Sequence, residues 1–295
     1  MKIRFWGVRG SIPFPGPNTI TYGGNTTCIE VRTDANDLII LDAGSGIFPL
    51  AQTLFKELPL TCHIFITHTH WDHIQGLPFF IPTFIPGNTI HIHGAFDPIN
   101  QGDLREVLSR QMEYCYFPVR ETELKATIHY LTLRDRQVIK VGNATVSNLL
   151  MNHPVLNYAY RIDCNGKSIC FTGDHEPLFN IYDPEDEDCD EYQSFMDQKN
   201  QGIIDFMRGV DVLIADTSYT RDEYPQKRGW GHGTYDSSIA LARQIGARQL
   251  YFTHHEPTRS DRDLERVFQE ALSRHPRQPG DPEFHLAQEG PVIEL

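Results

Sequence analysis

Five short apolar runs recur along the chain, and each ends close to an aspartate or a histidine. Their β-branched and aromatic side chains are typical of buried β-strands. The runs are residues 38–41, 64–66, 168–171, 212–215 and 250–252, and they lead into Asp42, His68, Asp174, Asp216 and His254. Because sites in α/β proteins collect where the carboxyl ends of strands meet loops, this pattern predicts one shared site.

Four other segments repeat apolar residues with the spacing of an amphipathic helix. They are residues 46–58, 103–115, 238–247 and 262–274. In the first of them, Leu50, Leu54, Phe55 and Leu58 are expected to form the buried face. The chain up to about Thr33 favours strand and turn. Together these patterns predict mixed sheets with helices on the outside.

The composition narrows the choice of fold and partner. The chain has 295 residues, of which 40% are apolar, and this suffices for a large core. We expect a single domain over residues 1–295, with an acidic loop near 182–192. The net charge is -13, and no cluster of lysines and arginines is present. Binding of long nucleic acid is therefore not expected, because phosphate contacts need a basic footprint.

The cysteines and the apolar runs indicate in which cellular compartment the protein is expected. Six scattered cysteines form no CxxC pair, so neither a disulfide framework nor a zinc ribbon is indicated. The first residues lack the apolar segment of a signal peptide, and no run reaches the length of a transmembrane helix. We therefore expect a cytoplasmic protein that makes no use of a membrane.

The stretch FITHTHWDHIQG places three histidines and an aspartate within six positions. Such a group repels itself when protonated and wastes polar atoms when it is buried. A divalent cation removes both problems, and imidazole with carboxylate suits Zn²⁺, Mn²⁺ or Fe²⁺. We predict that His68, His70, Asp72 and His73 bind metal.

THTHWDH also resembles the HxHxDH signature of the metallo-β-lactamase superfamily. The other motifs of that superfamily occur in order along nearly the whole chain, and they contain Asp42, His153, Asp174 and His254. The resemblance implies an α/β fold of the four-layer αββα sandwich type, with two divalent metal ions between the sheets.

The same resemblance assigns seven ligands and one supporting residue. It gives one ion to His68, His70 and His153, and the other ion to Asp72, His73 and His254. Asp174 would bridge the two ions, and Asp42 would orient a ligand imidazole from behind. His255 directly follows His254 and is a rival for the last ligand position.

A further motif concerns the reaction. The segment WGHGTYDSSIALA places His232 in a glycine turn before a helix. It resembles the Gly-His-Ser-Thr-like element of the ribonuclease Z and phosphodiesterase branch, and Asp216 matches the acid that pairs with that histidine. A histidine held by a carboxylate can stabilise a phosphorane-like state and protonate the leaving oxygen. We predict His232, Asp216 and the ligand Asp72 as catalytic residues.

The opening residues resemble the amino terminus of small phosphodiesterases and of ribonuclease Z. On this basis Asn25, Thr26 and Thr27 are predicted to donate hydrogen bonds to substrate phosphate. The alternative is a glycine turn that simply starts a strand.

These observations lead to a hypothesis with named rivals. The leading function is a phosphodiesterase with two metal ions, zinc foremost and manganese or iron as alternatives, that cleaves small nucleotides, cyclic ones first. A transfer-RNA 3′-processing endoribonuclease of ribonuclease Z type is the first rival, although the chain lacks the flexible basic arm of that family. Another metallohydrolase activity, such as thioester cleavage, and a ligand-binding regulator on the same scaffold are further alternatives. Relatives lead us to expect a homodimer.

Overall fold

The computed structural model describes residues 1–295 and contains two sheets of seven strands each. The first sheet is built, in spatial order, from β14 (Val292–Glu294), β1 (Lys2–Gly7), β2 (Cys28–Arg32), β3 (Leu38–Leu41), β4 (Thr61–Phe65), β5 (Thr89–Gly94) and β6 (Thr127–Thr132). The second is built from β13 (Glu283–Leu286), β12 (Gln249–Thr253), β11 (Val212–Asp216), β10 (Lys167–Phe171), β9 (Asn157–Cys164), β8 (Ala144–Met151) and β7 (Val138–Val141). The five apolar runs predicted as strands lie in these strands, apart from Ile66, which directly follows β4.

Four neighbouring strands in each sheet run parallel, β3 to β6 in the first and β10 to β13 in the second. The inner faces of the two sheets share one buried core. In this core Phe65 of β4 and Tyr160 of β9 meet edge to face, with ring centroids 5.2 Å apart. Because the carboxyl ends of parallel strands lie at the same edge of a sheet, the residues that follow these strands share that edge.

Six helices cover the outer faces of the sheets. They are α1 (Ile47–Thr53), α2 (Trp71–Ile74), α3 (Leu104–Arg110), α4 (Cys189–Met207), α5 (Tyr235–Ile245) and α6 (Asp261–Arg274). The first three pack on the first sheet, where Leu50 and Leu104 join Ile64 in one core. The last three pack on the second sheet, where Ile204 and Val267 join the core of that side. The predicted four-layer αββα sandwich is confirmed.

The longest helix, α4, begins inside the segment 182–192, which the sequence predicted to be an acidic loop, and the prediction is corrected here. Only the part up to Asp188 forms turns, and the helix begins at Cys189. Asp190 and Glu191 lie in its first turn, where the positive end of the helix dipole favours acidic side chains. The acidic residues therefore start a helix whose later turns supply the buried residues.

Two predicted helices are shorter than their apolar spacing indicated. Helix α1 ends at Thr53 and continues as a 3₁₀ turn, Leu54–Glu57, and α3 ends at Arg110. Leu50 and Leu54 are buried as predicted, but Phe55 is half exposed and does not belong to the buried face. None of the six helices is both long and apolar enough to cross a lipid bilayer.

Candidate metal centre

The carboxyl ends of strands from both sheets meet at one edge of the sandwich, as the sequence predicts. Asp42 follows β3 and His68 follows β4 in the first sheet. In the second sheet Asp174 follows β10, Asp216 ends β11 and His254 follows β12. Across the gap between the sheets, a carboxylate oxygen of Asp174 lies 3.5 Å from Nε2 of His68.

The first group of candidate ligand atoms comes from His68, His70, His153 and Asp174, and all of these atoms lie within 4.8 Å of one another. His153 donates from Nδ1 to the carbonyl oxygen of Gly231 over 2.9 Å, so that the lone pair of Nε2 faces the group. This Nε2 lies 3.2 Å from Nδ1 of His70. His70 is exposed whereas His68 and Asp174 are buried, so the group opens to solvent on one side.

The second group comes from Asp72, His73, Asp174 and His254, all of them buried. His73 donates from Nδ1 to Asp42 over 2.7 Å, and Nδ1 of His254 lies 2.8 Å from the hydroxyl of Ser218. These contacts turn both Nε2 atoms inward, to 3.4 Å and 3.1 Å from Oδ2 of Asp72.

Asp174 lies between the two groups and offers one oxygen to each. Its Oδ1 is 3.3 Å from Nε2 of both His73 and His254, in the second group. Its Oδ2 faces the first group, 3.5 Å from Nε2 of His68 and 3.9 Å from Nε2 of His153. A carboxylate in this position can bind two cations at once.

The polar atoms of the site fit a metal ion better than they fit one another. Nε2 of His68, Nε2 of His73 and Oδ1 of Asp174 are buried and have no hydrogen-bond partner. Unpaired polar atoms in a protein interior are costly, and a divalent cation would satisfy all three. Burial alone would raise the pKa of Asp174, but the imidazoles of His254, His73 and His68 outweigh it and hold the carboxyl well below its usual pKa. The group therefore presents an ionised oxygen ligand.

Asp42 and Thr67 support the ligands from behind. The Asp42 carboxylate accepts hydrogen bonds from the backbone nitrogen of Thr67, over 2.7 Å, and from Nδ1 of His73. The Thr67 hydroxyl lies 3.0 Å from the same carboxylate and 3.1 Å from Nδ1 of His68. Asp42 has a positive φ of 62° and is fully buried. Aspartate is one of the few residue types that adopt this conformation, and the hydrogen bonds of its buried carboxylate hold it there.

His232 and Asp216 lie beside the second group, as the sequence predicts. Nδ1 of His232 is 3.0 Å from Oδ2 of Asp216, and its ring stacks on that of His254 with centroids 4.8 Å apart. Burial disfavours the charged imidazole, but the carboxylates of Asp216 and Asp174 outweigh it and raise the pKa of His232 to about 9. Two divalent cations nearby would pull this pKa down, because their charge opposes protonation.

The turn that carries His232 is fixed by its neighbours. Helix α5 begins directly after it with a capping box, in which the Thr234 hydroxyl accepts from the Ser237 backbone nitrogen. Gly231 has a φ of 88°, and a Cβ atom at this position would overlap the His153 ring. Ligand atoms of Asp174, Asp216, His232 and His254 also lie within 4.8 Å of one another.

A loop near the amino terminus closes over the second group, and no sequence motif indicated this. The backbone nitrogen of Ser11 donates to Oδ2 of Asp72 over 2.7 Å. The preceding Arg9 is fully buried and donates to the carbonyl oxygens of Gly23, Glu256 and Arg259. Its guanidinium thus joins the amino-terminal loop to the loop after His254.

The predicted substrate donors Asn25, Thr26 and Thr27 are not available in the cleft. Asn25 donates from Nδ2 to Glu289 over 3.0 Å. Thr26 is fully buried, and its hydroxyl accepts from the backbone nitrogen of Ser45 over 2.8 Å. Thr27 is buried as well, at 1% exposure. These residues instead form a turn that leads into a strand, which was the alternative interpretation of the sequence. Their polar groups bind other parts of the protein or are buried.

The structure separates the two neighbouring histidines at the last ligand position. His254 points into the second group, with a positive φ of 57°. His255 turns away, and its Nε2 donates to the carbonyl oxygen of Ala287 over 3.0 Å. Of the two, only His254 is placed to bind a metal ion.

Known proteins are similar to this chain in sequence and in fold. The family model described as Beta-lactamase superfamily domain matches residues 38–255. Ribonuclease Z from Staphylococcus aureus (strain bovine RF122 / ET3-1) is 22% identical to this chain, and the match covers 91% of the chain and 93% of the relative.

Two solved structures of similar size have the same fold. The metallo-beta-lactamase fold protein YhfI from Bacillus subtilis superposes with a TM-score of 0.65 at 20% identity and covers 99% of each chain. A diphosphatase from the PhnP family superposes with a TM-score of 0.63 at 17% identity, and the match covers 100% of this chain and 97% of the other. At such identities the likeness concerns the fold alone.

Proposed function

The chain belongs to the beta-lactamase superfamily, and from this premise we propose that it is a metal-dependent phosphodiesterase. It would use two divalent metal ions to cleave phosphodiester bonds in small nucleotides. The observation that carries the proposal is the position of Asp174. One of its oxygens faces His73 and His254, and the other faces His68 and His153. Two ions held in this way would lie side by side, an arrangement that suits hydrolysis of a phosphodiester.

The ligand set supports zinc first. The first ion would be held by His68, His70, His153 and Asp174, and the second by Asp72, His73, His254 and Asp174. Imidazole nitrogens with carboxylate oxygens suit Zn²⁺, and they also accept Mn²⁺ or Fe²⁺. When bound, two such ions activate water at neutral pH and stabilise the charge that builds on the attacked and leaving oxygens.

The protein's own part in the reaction is positioning and proton transfer. Asp216 accepts the Nδ1 proton of His232, so that Nε2 is the atom free to donate a proton to the leaving oxygen. Asp42 holds His73, and the backbone nitrogen of Ser11 holds Asp72, through hydrogen bonds of 2.7 Å each. These contacts fix the ligands before substrate arrives.

Charge and cavity size favour a small substrate, with cyclic nucleotides as the first candidates. The net charge of -13 gives long-range repulsion toward a large polyanion. A cavity of about 260 Å³ adjoins His232 and His254. This volume lies near the lower end for ligand pockets, which hold roughly 300–1,000 Å³.

Transfer-RNA 3′ processing is the second candidate, and the Staphylococcus aureus ribonuclease Z favours it because the match extends over 91% of this chain. A panel of cyclic mononucleotides, cyclic dinucleotides, bis(p-nitrophenyl) phosphate and precursor transfer RNA separates the two. Specificity constants should be compared at about 0.15 M salt, which screens long-range attraction to RNA.

We expect the small phosphodiesters to be cleaved far better than the transfer RNA. A preference for precursor transfer RNA of tenfold or more would assign the chain to RNA processing instead. Cleavage of thioesters without cleavage of any phosphodiester would remove the proposed class.

A further inference from the structure

The cavity beside His232 has a wall that contributes nothing to the metal groups. Lys227 and Trp230 form this wall, Tyr219 lines the cavity next to His232, and Ser11 and Glu256 lie among the other lining residues. The rings of Tyr219 and His232 meet edge to face, with centroids 5.8 Å apart. The Tyr219 ring thus connects this wall with His232, the proposed proton donor, along the lining of the cavity.

The ammonium group of Lys227 contacts aromatic rings and not carboxylates. Its Nζ lies 3.9 Å from the centroid of the Trp230 ring and 5.9 Å from that of Tyr219. It makes no ion pair with a carboxylate, although the chain carries 39 acidic residues against 26 basic ones. A cation over an aromatic face is attracted without being neutralised, so its charge remains available to a ligand.

The two acidic residues of the cavity are bonded to other partners. Glu223 pairs with Arg259 and accepts from the backbone nitrogen of Thr220 over 2.8 Å. Glu256 accepts from the backbone nitrogen of Thr258 over 3.0 Å. Lys227 is therefore the cation in this cavity that no carboxylate neutralises.

The segment that carries Lys227 is tied to the body of the protein on both sides. Glu176 is 1% exposed, and its carboxylate accepts from the backbone nitrogens of Gly229 and Gly231, each over 2.9 Å. The same carboxylate accepts from the hydroxyl of Tyr224 over 2.8 Å. Lys227 thus sits between fixed points, and the cavity wall keeps its shape before substrate binds.

We propose that Lys227 and Trp230 form a subsite for a second phosphate of the substrate, one that is not cleaved. This inference rests on the proposed phosphodiesterase function and makes it more specific. Lys227 belongs to neither group of candidate ligands, and its ammonium lies beside the Trp230 and Tyr219 rings. We therefore assign it to an anionic group other than the phosphate at the metal groups. The preferred substrates are therefore small phosphodiesters that carry an additional phosphate, ahead of those with a single charged group.

The test compares two substrates that differ only in one phosphate: adenosine 2′,3′-cyclic phosphate and its 5′-phosphorylated form. The wild-type protein should prefer the phosphorylated cyclic nucleotide by about tenfold or more in kcat/KM, mostly through KM, the usual weight of a charge-assisted contact. Lys227→Gln should lose that preference, because KM for the phosphorylated substrate rises toward that of the unphosphorylated one. Lys227→Arg should retain it, because the charge remains.

Arg228→Gln is the matched control. Arg228 is the next residue in the chain, but its guanidinium lies outside the cavity, 3.8 Å from the centroid of the Phe179 ring. The variant removes the same charge from the same segment, so it should keep the wild-type preference. Equal losses in Lys227→Gln and Arg228→Gln would mean a long-range charge effect and would overturn the subsite.

Binding of product-like nucleotides gives a readout that does not need turnover. Lys227→Gln should weaken binding of adenosine 3′,5′-bisphosphate by about tenfold and leave that of adenosine 3′-monophosphate, which lacks the 5′-phosphate, unchanged. If the wild-type protein cleaves both cyclic nucleotides equally well, the subsite is wrong and the proposed function stands. Wild-type binding of adenosine 3′,5′-bisphosphate no tighter than that of adenosine 3′-monophosphate would also contradict the subsite, whichever phosphodiester is cleaved. If the protein cleaves neither cyclic nucleotide nor any other phosphodiester, the proposed function fails, and the subsite fails with it.

Discussion

Nδ1 of His232 lies 3.0 Å from Oδ2 of Asp216, which commits this nitrogen and leaves Nε2 as the free nitrogen of the ring. The same carboxylate oxygen accepts from the backbone nitrogens of His175 and Gly233, over 3.0 Å and 3.3 Å. Asp216 is therefore held in place by the main chain and in turn holds the imidazole. This is the arrangement expected of a positioned proton donor.

Removal of this imidazole should separate chemistry from metal binding. We expect His232→Ala to keep its fold and its metal ions, and to lose roughly 10²–10⁴-fold in turnover, the usual weight of a positioned acid or base. Metal content by elemental analysis and turnover of bis(p-nitrophenyl) phosphate check both parts. Loss of a metal ion in this variant would make His232 a ligand and contradict the role given to it.

Asp216→Asn should cost less than His232→Ala, because the imidazole stays and only its partner changes. An asparagine can keep its carbonyl oxygen toward the three donors and turn its amide toward the Ser218 hydroxyl, which lies 3.0 Å from Oδ1 of Asp216. A loss in kcat equal to that of His232→Ala would show that the carboxylate charge itself is required.

Ligands of one group and the shared ligand should differ in metal content. His70 belongs to the first group alone, and Asp174 belongs to both. His70→Ala is therefore expected to retain about one ion per chain, whereas Asp174→Ala should retain none tightly. Both variants should lack activity. Two ions retained in Asp174→Ala would exclude a bridging carboxylate.

A single methyl group near the amino terminus should disturb the second group. A Cβ atom at Gly10 would overlap the His254 ring, which is buried and held by Ser218 and Asp72. Gly10→Ala should lower metal affinity or activity by roughly 10–100-fold, as other changes behind a ligand do. Gly16→Ala, in the same loop and with no atom near its Cβ, is the control and should behave as the wild type. Equal activity of the two variants would show that the loop moves freely.

The sequence could predict which residues come together at one edge of the sandwich because several of them follow strands. Parallel strands end at one edge, so Asp42, His68, Asp174 and His254 could be brought together without knowledge of the side-chain contacts. Contacts between distant loops have no such rule. Arg9 reaches a carbonyl oxygen 250 positions away, that of Arg259, and no local pattern indicates this.

Two predictions differ from the structure for local physical reasons: the substrate donors in the amino-terminal turn and the extent of the acidic loop. Small polar residues such as Thr26 and Thr27 suit a solvent-facing turn and a buried strand end equally, and only the tertiary fold decides which face they take. Helix α4 escaped prediction because its first turn is acidic, and its buried residues, such as Met196 and Ile203, appear only later. The charged start concealed the helical spacing that follows.

Histidines away from the site should make the protein sensitive to acid. Burial, with the imidazoles of His63 and His91, lowers the pKa of His93 to about 3. In the unfolded chain this histidine takes up a proton near pH 6.5, so the unfolded state binds more protons between about pH 6.5 and 3. The free energy of unfolding therefore falls as the pH drops through this window.

His93→Phe should make that fall shallower, by at most about 1.4 kcal/mol per pH unit. The new ring can keep the stack on Phe65, whose centroid lies 4.3 Å from that of His93. Loss of the contact with His63 should lower stability by a constant amount above pH 6.5. Urea unfolding of both proteins at several pH values checks the slope, and parallel curves would contradict the prediction.

The requirement for two metal ions is the central claim, and a metal titration tests it most directly. Chelator-stripped protein would receive increasing zinc while hydrolysis of bis(p-nitrophenyl) phosphate is followed. Because Asp174 offers one oxygen to each group, we expect activity to reach its full value only at two equivalents of metal per chain. Full activity at a single equivalent would contradict the account.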